Sequence, residues 1–243
     1  MIEIHDLQKS FGSKKVLNGI NLKINKGETT VIIGRSGCGK SVLIKHIVGL
    51  LQPDAGWVKV EDKIVSELSL NEIYKLRKMF GFLFQGSALF DSLTVEENVG
   101  LPLVESKNVF TKTEIDRIVK EKLEIVGLKD INKLKPAELS GGMKKRVGLA
   151  RALVTNPDYI LYDEPTTGLD PIMSDSIDAL IKELSSKLTV TSVVVTHDLY
   201  SVKNVADKVA MMHEGKIHFE GTPSDLLNSN DPIVEDFIKR TGA

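Results

Sequence analysis

The sequence predicts an α/β fold: a parallel sheet with helices on its faces, a small antiparallel β portion near the start, and a helical insertion in the middle. Three observations predict it. Short, nearly continuous apolar runs, TTVIIG (29–34), YILYDE (159–164) and SVVVTH (192–197), each end in a glycine or a polar residue. Strands covered on both faces look like this, with chemistry at their carboxyl ends. A glycine-rich loop, GRSGCGKS (34–41), stands between the first of these runs and a helical pattern. From about residue 87 to 154 the apolar spacing is mostly helical.

Taken in order, residues 2–8 and 20–24 alternate as half-buried strands do. Residues 29–34 form the first covered strand, and 41–51 the helix that follows it. GWVKVEDKIV (56–65) reads as a hairpin turning at Glu61, Asp62 and Lys63. FGFLFQ ends a further apolar run at Gln85. Thr94 and Glu97 have the spacing of a capping box. Ile115, Ile118, Val119, Ile125 and Val126 give one apolar helical stripe. Met143, Val147, Ala150, Leu153 and Val154 recur at the spacing of a second helix. Residues 171–188 supply the helix between the covered strands, and HEGKI (213–217) a turn between strands. The tail from Thr222 is expected to be helical, with a break at Asp231-Pro232. Its Ile233, Phe237 and Ile238 form one narrow apolar face, expected to dock on the chain's own core; a sister copy or a small accessory protein are the alternatives. The expected organisation is one domain over 1–243. Residues 1–86 and 155–221 form the α/β core with its antiparallel part, 87–154 the helical subdomain and 222–243 the tail.

Composition narrows the function. At 243 residues, 42% hydrophobic, the chain can bury a substantial core. Its 32 basic and 33 acidic residues nearly cancel, so no global field favours nucleic acid. Cys38 is the only cysteine, so no internal disulfide forms, which fits a reducing compartment. The histidines are scattered without zinc-ligand spacing. The start of the chain lacks a signal-peptide pattern, and no apolar run reaches about 18 residues. A role at a membrane must then come through partners.

The loop GRSGCGKS fits G-x-x-x-x-G-K-[ST], a phosphate-wrapping loop between strand and helix. Backbone N–H groups of Gly34, Arg35, Ser36, Gly37, Cys38, Gly39, Lys40, Ser41 and Val42 surround the phosphates in this reading, most closely from Gly37 onward. Lys40 would reach the β- and γ-phosphates and Ser41 would ligate Mg²⁺. A second metal ligand is needed at the end of a neighbouring strand, and Asp163 in YILYDE supplies it. Glu164 beside it is placed to polarise an attacking water. Cys38, at a helix start, is expected to have a lowered thiol pKa. LSGGMKKR (139–146) opens a second helix whose free N–H groups can hold an anion. It lies 100 residues beyond Lys40, so whose phosphate it holds is not answered by spacing.

The phosphate loop, LSGG and YDEPTTGLD, in this order and at these distances, resemble the ATPase subunit of an ABC transporter over nearly the whole chain. The resemblance implies a P-loop NTPase (RecA-like) core with an antiparallel β subdomain and an inserted helical subdomain. It implies ATP and Mg²⁺ as ligands. Residues 34–41 become Walker A, 159–163 Walker B with Glu164 behind it, Gln85 the Q-loop glutamine and a metal ligand, 168–170 the D-loop, and His197 the switch histidine hydrogen-bonded to the γ-phosphate. Phe11 falls where the family stacks adenine on an aromatic ring. Two copies would pack head to tail, so that Ser140, Gly141, Gly142 and Asp170 serve the partner's nucleotide. Two departures stand out: Met143 replaces the usual signature glutamine and cannot donate to a ribose, and TGLD replaces the commoner Ser-Ala-Leu-Asp.

Finer details resemble the ATPases of MCE/Mla-type phospholipid transport: Val42 after the P-loop serine, Met143, and Ala88-Leu89-Phe90-Asp91 after Gln85. This implies a homodimer on the cytoplasmic face of the inner membrane, working with integral-membrane permease subunits and an MCE-domain protein. Leu89 and Phe90 are expected either to line the groove for the permease's coupling helix or to pack internally. The alternatives are the same motor with an amino-acid or other small-solute cargo, and a soluble ABC ATPase outside transport.

Overall fold

The computed structural model describes residues 1–106 and 110–241. Residues 107–109, inside the predicted helical stretch, and 242–243, at the end of the predicted tail, lie outside the described residues.

The larger of two sheets has the order β10-β9-β3-β8-β7-β6. Its parallel strands are β3 (Thr29–Gly34), β6 (Phe80–Leu83), β7 (Tyr159–Asp163), β8 (Thr191–Val195) and β9 (Lys208–His213). β10 (Lys216–Gly221) closes one edge antiparallel to β9 across the HEGKI turn. Every residue of β3 and β8 is buried, as their unbroken apolar runs require. Parallel register brings the carboxyl ends of β3, β7 and β8 to one edge: Ile32 pairs with Val195, and Asp163 pairs with Val195 from the other side. That edge carries the glycine-rich loop, the acidic pair and His197.

The second sheet, β2-β1-β4-β5, is antiparallel. Its strands are β1 (Ile2–Phe11), β2 (Lys14–Ile24), β4 (Ala55–Val60) and β5 (Lys63–Ile64). The hairpin at 56–65 turns as the sequence suggests, with Glu61 at a positive φ of 53°. β1 runs on to Phe11, where it pairs with Lys14. β2 begins at Lys14, well before the predicted 20. Its first residues, Lys14 and Lys15, are exposed, and its buried Leu17 and Ile20 are three apart across an irregular pairing with β1, so strict alternation did not reveal it.

Helix α1 (Lys40–Ile47) follows β3. Its Leu43, Ile44 and Ile47 are fully buried between the two sheets, with Ile4, Val58 and Val195 in the same core. It stops four residues short of the predicted end. Gly49 takes φ +65°, and Arg77 donates to the Val48 and Gly49 carbonyls, satisfying the helix end from outside. Arg77 closes α2 (Leu70–Arg77), a helix opened by a Ser69–Glu72 capping box.

Between β6 and β7 the described chain is helical: α3 (Val95–Val104), α4 (Lys112–Ile125) and α5 (Gly141–Leu153). Thr94 caps α3 as a capping box with Glu97, and Thr111 caps α4 with Glu114. Val119 and Val126 of the predicted stripe are buried, and Ile115, Ile118 and Ile125 pack against them half-buried. Helices α6 (Pro171–Leu188) and α7 (Leu199–Val205) cover the same face of the large sheet.

The tail forms α8 (Pro223–Leu227) and α9 (Pro232–Thr241), with the break at Asp231-Pro232. Val234 and Phe237 are buried in the chain's own core, and Ile233 and Ile238 pack against it. Among the described residues, no helix is long and apolar enough to cross a membrane.

Candidate functional site

The loop after β3 has no side-chain cap at the start of α1, so its N–H groups are free to receive an anion. Gly39 stands at the N-cap with φ 106°. A Cβ there would lie 2.9 Å from Leu17 and 3.1 Å from the Val16 carbonyl, so the backbone needs glycine for both conformation and space. Lys40, 6% exposed, folds back over the loop and donates to the Gly34 carbonyl at 2.7 Å and the Arg35 carbonyl at 3.4 Å. Its ammonium lies 3.9 Å from Glu164 Oε1. A phosphate entering the loop can take over these contacts.

The two strand-end segments meet here. Ser41 Oγ donates to Asp163 Oδ1 at 3.0 Å, which joins the start of α1 to the end of β7. Burial pushes the Asp163 carboxyl above its usual range, with the Ser41 hydrogen bond opposing and Glu164 adding to the rise. A hydroxyl beside a carboxylate is a hard-oxygen donor set that suits Mg²⁺ bound together with phosphate oxygens. Gln85 is exposed just beyond β6, the strand beside β7.

Glu164 is held from several sides. Its N–H donates to the Val195 carbonyl at 2.8 Å, and its backbone takes a left-handed φ of 51°. Its Oε2 accepts from Thr167 Oγ1 at 3.0 Å and lies 2.8 Å from His197 Nδ1. With a carboxylate as acceptor, Nδ1 carries the proton and Nε2 is left to face outward. The structure therefore brings Lys40, Ser41, Asp163, Glu164 and His197 into one cluster.

The other predicted residues stand apart from it. Ser140 caps α5, accepting from Met143 N–H at 3.3 Å, and Ser140 and Gly141 are exposed. Gly142 is buried because Met173 of α6 comes so close that a Cβ would fall 2.1 Å from Met173 Cε. Asp170 caps α6 and accepts from the Met173 N–H at 3.0 Å. Phe11 ends β1 with 48% exposure, its ring 5.7 Å from the Lys9 ammonium, so a ring face is available at the surface. Arg35 pairs with Asp236 of α9, which ties the phosphate loop to the tail. Phe90 is exposed in a groove of roughly 800 Å³ that Tyr74, Phe82, Pro102 and Arg151 also line, whereas Leu89 packs half-buried against the core.

One expectation is corrected. Burial of the Cys38 thiol outweighs the nearby Lys40 charge and loop N–H groups, and its pKa is raised rather than lowered. Two residues escaped sequence reasoning. Thr167 holds Glu164, and Lys145 of α5 reaches the backbone of both Gln85 and Glu164. Lys145 did leave a signal: it interrupts a buried helix face of Gly142, Leu149 and Ala152.

Residues 17–167 match the family described as ABC transporter. The chain is 40% identical over 237 residues to the probable ribonucleotide transport ATP-binding protein mkl of Mycobacterium leprae, covering 98% of this chain and 68% of that one. It is 41% identical over 239 residues to the intermembrane phospholipid transport system ATP-binding protein MlaF of Haemophilus influenzae, covering 98% and 90%. The chain thus spans about two thirds of the mycobacterial relative and most of the Haemophilus one. Among solved structures, the dimeric post-hydrolysis state of the ATP-binding cassette MJ0796 bound to ADP and Pi aligns with a TM-score of 0.84 and 33% identity, over 92% of this chain and 99% of that one. Sequence and fold agree across nearly the full length, and the chain belongs to the ABC transporter family as one of its ATP-binding cassettes.

Proposed function

We infer that the chain hydrolyses ATP between two copies of itself and energises lipid trafficking across the cell envelope through a separate permease. The observation that carries the hydrolytic reading is Glu164, fixed by His197 and Thr167 within 3.9 Å of Lys40 and next to the Ser41–Asp163 pair. In this reading the loop N–H groups and Lys40 hold the β- and γ-phosphates. Glu164 takes a proton from water as the water oxygen attacks the γ-phosphorus and the bond to ADP breaks. His197 keeps the carboxylate aimed through Nδ1–H, and as the imidazolium it would also donate from Nε2–H to a γ-phosphate oxygen. Mg²⁺, held by Ser41, Asp163 and Gln85, would neutralise charge on the phosphate oxygens.

Head-to-tail pairing is supported by the exposed opening of α5 at Ser140 and Gly141 and by the dimeric state of the MJ0796 cassette. Large apolar side chains, Ile172 and Tyr200, are also exposed close to Asp170 and His197 in sequence. The γ-phosphate joins the copies, and its loss on hydrolysis releases them. The exposed aromatic groove at Phe90 suits a coupling helix of the permease. Phospholipid as cargo is supported by the likeness to MlaF, an intermembrane phospholipid transport ATP-binding protein; an MCE-domain partner and a place at the cytoplasmic face of the inner membrane are what the sequence resemblance implies. A small-solute cargo is the second reading, favoured by the name of the mycobacterial relative.

Two substitutions test the hydrolytic reading. Lys40→Ala loses nucleotide binding and turnover together. Glu164→Gln keeps ATP binding, loses about 100-fold or more in turnover, and accumulates an ATP-bound dimer by size-exclusion chromatography. Normal turnover in Glu164→Gln removes the assignment. For the cargo, the chain is reconstituted with a permease that co-purifies with it. Stimulation of ATPase by phospholipid, and not by nucleotides or amino acids, is the expected result.

A further inference from the structure

Lys145 is charged, yet only 5% of it is exposed. A buried ammonium is costly unless its protons are given to acceptors. Lys145 Nζ gives them to two backbone carbonyls, Gln85 O and, at 3.2 Å, Glu164 O. Both belong to the segments that carry the site. Gln85 stands just past β6 and Glu164 just past β7, and these strands are neighbours through Leu83 and Tyr162. Lys145 itself sits on α5, five residues from the exposed cap Ser140. One ammonium therefore joins the signature helix, the Gln85 loop and the turn of Glu164.

The Glu164 turn needs such support. A non-glycine residue at φ 51° is in a sparsely populated region and persists only where its surroundings hold it. The N–H of Glu164 is held by Val195 on β8, and its carbonyl by the Thr167 N–H at 3.3 Å within its own turn and by Lys145 at 3.2 Å from α5. Without the Lys145 contact the Glu164 carbonyl is left with the Thr167 N–H of its own turn, and this tie between the turn and α5 is lost, so the backbone that carries the carboxylate is held less firmly. Burial lowers the Lys145 pKa, and the Glu164 and Asp163 carboxylates oppose that fall.

We propose that Lys145 is a positioning residue for hydrolysis: its ammonium fixes the backbone of Gln85 and Glu164 and makes the aim of the hydrolytic carboxylate depend on where the signature helix lies. The proposal rests on the role assigned to Glu164 above. It predicts that a movement of α5, such as pairing with a second copy imposes, is felt at both segments through one side chain.

The test is steady-state ATPase on the purified full chain with Lys145→Met, Lys145→Arg and Arg146→Met. Arg146 is the matched comparison: it donates from the same helix to the Val126 carbonyl and to Ser176 Oγ, both away from the cluster. Lys145→Met is expected to lower kcat at least tenfold, with KM for ATP within about threefold of wild type. Lys145→Arg, which restores donors, is expected to recover several-fold of that loss. Arg146→Met is expected to lower the unfolding midpoint while keeping kcat. ATP-driven dimerisation in the Glu164→Gln background should survive Lys145→Met. Unchanged kcat in Lys145→Met, a rise in KM matching the fall in kcat, or an equal loss of kcat in Arg146→Met would each overturn the proposal. A wild-type chain without turnover would overturn the proposed function and this inference together, whereas wild-type turnover with an indifferent Lys145→Met overturns the inference alone.

Discussion

Cys38 shows how two local effects compete at a single residue. Its place beside a helix start and near Lys40 favours the thiolate, but the half-buried thiol is desolvated, and desolvation prevails. Maleimide reacts with thiolate, so labelling at pH 7 should run at least about threefold slower than at an exposed cysteine and speed up roughly tenfold per pH unit below the thiol pKa. Mass spectrometry after timed exposure to N-ethylmaleimide checks this. Complete labelling should abolish ATPase activity, since the adduct occupies the phosphate loop, and MgATP should protect. Full activity in the labelled chain would contradict the placement of the loop. At this scale the sequence was informative where a residue type is dictated by motif chemistry: Lys40, Ser41, Asp163, Glu164 and His197 all appear in one cluster. It was silent on Thr167, whose contact depends on the local turn after β7, and on Lys145 it offered only an interrupted helix face, because which carbonyls the ammonium reaches depends on how separate elements pack.

The contact of α6 with α7 holds another buried ionisable side chain, Asp178, 1% exposed. Burial raises its pKa to about 6, helped by the charges of Asp198 and Asp175 and opposed by Ser201 and Asn204. The folded chain thus holds this proton more tightly than the unfolded chain. As pH rises from about 4 through about 6 the folded state must give the proton up, and stability is lost; above that the full cost remains. Asp178→Asn removes the cost. It should stabilise the chain above pH 7 by on the order of 2 kcal/mol and give no gain near pH 4. Urea unfolding at pH 4.5 and 8 measures this, and an equal shift at both pH values would exclude it. Elements themselves were legible in proportion to burial. β3 and β8, covered on both faces, showed as unbroken apolar runs. α2 was missed because only Ile73 and Leu76 are buried while Leu70 and Tyr74 are largely exposed, so eight residues carry almost no period. Its Ser69–Glu72 capping box was the readable sign, of the same kind as Thr94–Glu97.

On the scale of the whole molecule the proposed function needs a pair of chains. The cluster of Lys40 and Glu164 lies at the carboxyl edge of the large sheet, and α5 opens at the exposed residues Ser140 and Gly141. A twofold pairing that brings the second to the first makes two equivalent sites, each with the loop of one copy and the helix start of the other. Lys40→Ala removes the loop half and Ser140→Arg the helix half, by placing bulk and charge in the γ-phosphate slot. Ser140→Arg alone should bind ATP yet stay monomeric by light scattering. Neither variant alone should turn over ATP. In a mixed pair, however, the intact loop of the Ser140→Arg copy faces the intact helix start of the Lys40→Ala copy, and one whole site returns. An equimolar random mixture should then recover up to about one quarter of wild-type activity, half of its pairs carrying one whole site of two. If tagged mixed pairs are isolated and still show no turnover, the sites are not shared between copies.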